Sequence, residues 1–120
     1  MRVSLTREKL NSLFDMVQYL LAEFPAGDKA EELVDGLIHK IRIKMRNRLD
    51  TYNIKNSYSF TLTKEEALAF ELWMSQLKPM IPITNYVFEQ NIALQITNKI
   101  DQIYGTIGIR KVTGAIAQGD

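Results

Sequence analysis

The chain contains no cysteine, which excludes disulfide staples and thiolate metal sites. It has a single histidine, His39, too few for a histidine metal cluster and a thin basis for a Ser-His-Asp triad. Net charge is only +1, so no global field draws the protein towards a polyanion. Nucleic-acid affinity would need cations gathered on one face. Long apolar runs are missing too. The longest uncharged stretches, Pro79 to Phe88 and Gln90 to Asn98, are too short and too polar to cross a bilayer. The first ten residues, MRVSLTREKL, are charged and lack the apolar core of a secretion leader. The expectation is a cytoplasmic protein, or part of a particle assembled there, without a membrane role.

Motifs of chemistry are equally sparse. The glycines at 105, 108 and 114 lack the GK[ST] ending of a phosphate-binding loop. Gly105 to Gly108 has the GxxG spacing of a backbone clamp, but no second helical pattern follows it. The adjacent carboxylates Glu31-Glu32 and Glu65-Glu66 stand at helix starts, where capping and the helix dipole explain them better than acid/base catalysis. Asp35 precedes His39 by one helical turn, as an ordinary surface pair would. The sequence therefore predicts no catalytic residue, no cofactor, no metal and no small-molecule substrate: a non-enzymatic protein.

What is present is a globular chain, 120 residues long and 46% hydrophobic. Thr6 to Phe24 carries Leu10, Leu13, Phe14, Val17, Leu21 and Phe24 at the spacing of one helix face. Pro25-Ala26-Gly27 ends it, and Asp28 with Glu31 forms a capping box for the next helix. Thr63 with Glu66 caps a third, whose body from Ala67 to Leu77 is apolar on more than one side and is expected to be the most enclosed. The fourth runs from about Asn85 to Tyr104, with Phe88, Ile92, Ile96, Ile100 and Ile103 expected to face inward and Gly105 stopping it. The fold class is mainly α: four helices arranged as two helical hairpins. Alternating apolar residues add a minor two-stranded β element over residues 2–5 and 58–62, within an extended stretch that begins near Tyr52 and Ile54. Residues 1–104 form the helical domain and 105–120 a Gly-rich C-terminal arm. VSLTREKL (3–10) and FTLTKEEA (60–67) align without gaps, which suggests two related halves.

The segment HKIRIKMRNRL (39–49) places a base at every second position: Lys40, Arg42, Lys44, Arg46 and Arg48. As a strand it would present one cationic face. As a helix, Val34, Leu37, Ile38, Ile41, Met45 and Leu49 gather within about 120°, and the bases split to both margins of that stripe. The helix is preferred, because the helical face persists on both sides of the ambiguous window; acids also open the segment and bases close it, in the sense of the helix dipole. Ile43 then points away from the core and becomes a candidate partner anchor.

Two surfaces carry the functional expectation. The fourth helix has an amide stripe, Asn91, Gln95, Asn98 and Gln102, where a solvated helix would alternate Lys and Glu. The arm carries Ile107, Ile109 and Val112, apolar residues available to a neighbour. The leading expectation is an assembly subunit, such as a virion component, that contacts copies of itself or a larger complex through these residues and Ile43. The alternative is a sequence-nonspecific nucleic-acid accessory protein using Lys40, Arg42, Lys44, Arg46 and Arg48, with Arg110 and Lys111.

Overall fold

Thr6 and Thr63 each follow a short run of alternating apolar residues, and each starts a helix. The computed structural model, which describes residues 1–51, 56–82 and 84–105, builds both halves on that pattern. In chain order the elements are β1 (Arg2–Leu5), α1 (Arg7–Glu23), α2 (Lys29–Leu49), β2 (Tyr58–Thr61), α3 (Lys64–Leu77), a 3-10 turn (Lys78–Met80) and α4 (Val87–Tyr104). The protein is mainly helical, with four helices and one two-stranded antiparallel sheet among the described residues. α1 packs on α2 and on α4, and α3 packs on α2 and on α4, an arrangement compatible with two helical hairpins.

The caps explain where the helices begin. Thr6 accepts from the Lys9 amide at 3.2 Å. Thr63 accepts from the Glu66 amide at 3.1 Å while Glu66 accepts from the Thr63 amide at 2.9 Å, a complete capping box. At α2, Asp28 accepts from the Glu31 amide at 2.8 Å. Glu31 reaches past Asp28 to the Gly27 amide at 2.7 Å, so the expected box is displaced by one residue. α2 is a continuous helix through residues 37–46, which resolves the strand alternative. Ile38, Ile41 and Met45 are buried along it, flanked by half-buried Val34, Leu37 and Leu49.

The core joins all four helices to the inner face of the sheet. Val3, Leu5, Tyr58, Phe60 and Leu62 are buried on that face, below Leu10, Leu13, Val17, Phe70, Trp73 and Ile100. Each such side chain contributes roughly 1.5–3 kcal/mol by leaving water. α3 buries half of its fourteen residues, Glu66 among them.

In the sheet, Val3 pairs with Phe60, Arg2 with Thr61, Ser4 with Ser59 and Leu5 with Tyr58. The Met1 ammonium donates to the Leu62 carbonyl at 2.9 Å and the Leu62 amide donates to the Met1 carbonyl at 2.8 Å, which extends the ladder by one pair. A lysine meets the outer edge of each strand: Lys44 donates to the Thr61 carbonyl at 2.8 Å and Lys99 to the Arg2 carbonyl at 2.7 Å.

Two expectations about α4 are corrected. The helix begins at Val87, after Tyr86 in the left-handed region at φ 57°. Phe88 and Ile103 do not face inward: they are 45% and 50% exposed. The neighbouring helices cover α4 along Ile92, Ala93, Ile96 and Ile100. Phe88 lies at the margin of that arc, and Ile103 lies at the helix end. Tyr52 and Ile54 fall outside the described residues.

Candidate interaction site

Wound at 100° per residue, the outer face of α4 gathers Asn91, Gln95, Asn98 and Gln102 within an arc of about 60°. All four are exposed. Val87 and Leu94, each about half exposed, border the amides on one side. The nearest cation on the far side, Lys99, is engaged with the Arg2 carbonyl. The result is an uncharged, partly apolar strip along a helix about 27 Å long. None of the four amide side chains makes a hydrogen bond among the described residues, so their donors and acceptors are turned to solvent.

Alongside the strip, α3 and α4 leave a groove of about 430 Å³, lined by Glu71, Met74, Lys78, Asn91, Leu94 and Thr97 with three neighbours. Glu71 and Asp101 meet across the two helices beside it. Glu71 Oε1 and Asp101 Oδ1 are each buried, and no other described residue offers either of them a hydrogen-bond donor. Burial, then the shared hydrogen bond and the negative charge of Asp101, push the Glu71 carboxyl up to about 7. Folding therefore favours the uncharged form of Glu71, the form that suits a carboxyl packed against Asp101 between α3 and α4.

The structure divides the basic segment of α2. Lys44 is tied to Glu66 and to the Thr61 carbonyl on the β2 and α3 side. Arg46 turns towards α1, where its guanidinium lies 5.8 Å from the Phe14 ring centre and bonds Asp50 at 3.3 Å. Arg42 is half-buried and its Nε has no partner among the described residues, while Lys40 and Arg48 are exposed. The five bases share no single face. Ile43 is 51% exposed, as its helical phase requires, but it projects from α2, the helix that lies across the bundle from α4. It does not join the amide strip. Ile107, Ile109, Val112, Arg110 and Lys111 lie outside the described residues.

Glu66 shows what local patterning missed. It is only 4% exposed. Burial alone would raise its carboxyl, but the bond and charge of Lys44 and the bonds of Thr63 outweigh this and hold it below the usual glutamate range. Asp35 is pushed the other way, raised by burial and by Glu31 against the attraction of His39. Among the described residues, no helix is long and apolar enough to cross a membrane. No family model, curated protein or solved structure matches the chain.

Proposed function

We propose that the protein is a non-enzymatic assembly subunit that pairs with copies of itself through the outer face of α4 and the C-terminal arm, as a particle component would. The observation that carries this reading is the uncharged strip of Asn91, Gln95, Asn98 and Gln102 beside exposed Val87 and Leu94. An amide both donates and accepts, so the same stripe is complementary to itself across a two-fold axis. No like charges along the stripe would oppose such pairing.

The nucleic-acid reading has less support, because Lys44 and Arg46 already hold protein partners and the remaining bases diverge. Light scattering over a range of concentrations tests the proposal. The full chain should grow in mass with concentration. Leu94→Lys with Asn98→Lys should hold it monomeric with an unchanged helical spectrum, and deleting residues 106–120 should weaken association. A wild-type chain that stays monomeric at high concentration refutes self-pairing. Retention on DNA at low salt, lost in Arg48→Glu, would favour the alternative.

A further inference from the structure

Where α2 ends against β2, a second cavity of about 270 Å³ opens on the outer side of the sheet. Its walls are Arg2 from β1, Arg48 from α2, Thr51 just beyond it, Ser57 just before β2, and Tyr58, Ser59, Phe60 and Thr61 of β2. Two guanidinium groups thus border one recess with the hydroxyls of Thr51, Ser57, Ser59 and Thr61 and the Tyr58 phenol that Arg7 holds, and no carboxylate is among its described lining residues. Neither arginine takes part in an ion pair among the described residues. Both are exposed, so their forks are available.

The surroundings add to this charge. Lys44 is fixed on the Thr61 carbonyl and Lys99 on the Arg2 carbonyl. Arg7 donates to the Tyr58 hydroxyl at 3.1 Å and to the Leu49 carbonyl at 3.0 Å. Of these cations only Lys44 has a carboxylate partner, Glu66. The negative end of the α2 dipole also points towards the recess, but its last carbonyls are covered. The Asp50 amide donates to Arg46, and the Thr51 amide and hydroxyl donate to Arg48. The local balance is positive in a chain whose net charge is +1.

We propose that this recess binds a phosphate group, either free phosphate or the monoester of a small molecule. Arginine forks match phosphate oxygens in pairs, and the Ser57 and Thr61 hydroxyls supply further donors around a tetrahedral anion, whereas the Thr51 hydroxyl is committed to the Arg48 carbonyl and that of Ser59 to Ser4. The volume falls just below the usual range of small-molecule sites, about 300–1,000 Å³. It suits one phosphate with a short substituent. A nucleic-acid strand would need a continuing row of free cations, and the neighbouring Lys44 and Arg46 are already engaged.

The test is an amide-resolved NMR titration of the full chain with inorganic phosphate, glycerol phosphate and a single-stranded oligonucleotide, with glycerol as control. Phosphate should move the Thr51, Ser57, Ser59 and Thr61 amides saturably in the millimolar range. Arg2→Gln and Arg48→Gln should each weaken binding about tenfold, the loss of one charge-assisted bond. Both side chains are exposed, so unchanged thermal melts are expected, and Thr61→Val checks the recess without altering charge. Tighter binding of glycerol phosphate than of phosphate supports a monoester ligand, and the reverse supports free phosphate. Shifts that never saturate, binding indifferent to both arginine variants, or an oligonucleotide response spread along α2 would each overturn the assignment.

Discussion

Replacing Glu71 with glutamine should make the protein more stable in mild alkali and flatten its response to pH. In the unfolded chain Glu71 ionises near 4.5, and in the folded protein near 7. Below 4.5 both states hold the proton and the carboxyl pair carries no penalty. Between 4.5 and 7 the unfolded chain releases the proton while the folded one keeps it, so stability falls as pH rises. Above 7 the loss is complete. The full shift corresponds to about 3 kcal/mol. The pair sits beside an open groove, so solvent screening reduces this to about 1–2 kcal/mol. In Glu71→Gln the amide can donate to Asp101 at every pH, which removes the like-charge contact and gives the orphaned oxygen a donor. Urea unfolding at about pH 5.5 and pH 8.5 reads the difference directly. Wild type should lose about 1–2 kcal/mol between the two, or roughly 4–8 °C in melting temperature, and the variant much less. Asp35, also raised, contributes in the same direction. For that reason the comparison that decides is variant against wild type. Parallel curves through this window would show that folding does not raise the Glu71 carboxyl.

Two further effects should be measurable by the same unfolding assay. Lys44→Met leaves the Glu66 carboxylate buried without its cation and should cost about 2 kcal/mol near neutral pH; adding Glu66→Gln should recover much of it, and strictly additive losses would refute the coupling. Because the Glu66 pKa is lowered on folding, the stability it contributes is present above its unfolded value of 4.5 and lost as pH falls below that. Gly36→Ala should stabilise by about 1 kcal/mol, since Gly36 lies inside α2 and an added methyl would meet nothing within 4 Å. A loss of stability there would contradict a continuous α2.

The legible part of this fold is the part written in local order. Thr6, Asp28 and Thr63 announce helix starts because a cap involves residues three apart. The stripe from Val34 to Leu49 announces a buried face because it repeats with the helix. Phe88 and Ile103 misled because phase alone does not say how far the neighbouring helices extend over a face. The features that distinguish the surface lie between elements: Glu71 against Asp101, Lys44 on Glu66, Arg2 beside Arg48. Each is an unremarkable charge in its own helix or strand, and only the packing brings the partners together. The amide stripe was visible early because its members share one helix.

The sheet gives the apparent relation between the halves a physical form. An antiparallel ladder has local two-fold axes, but a given register places them on particular pairs. Here Val3 pairs with Phe60, the two residues that head the aligned octapeptides. Exchanging the halves sends the Arg2–Thr61 pair to Ser4–Ser59 and the Met1–Leu62 pair to Leu5–Tyr58, so the register maps onto itself. A slip of one residue would destroy that correspondence and turn the buried apolar side chains to solvent. The helix contacts follow the same exchange, since α1 on α4 answers α3 on α2. The surfaces do not. α2 ends in bases, whereas α4 carries neutral amides beside the Glu71 and Asp101 carboxyls. If the halves share a framework because that framework folds, the proposed pairing through α4 draws on a surface where they differ.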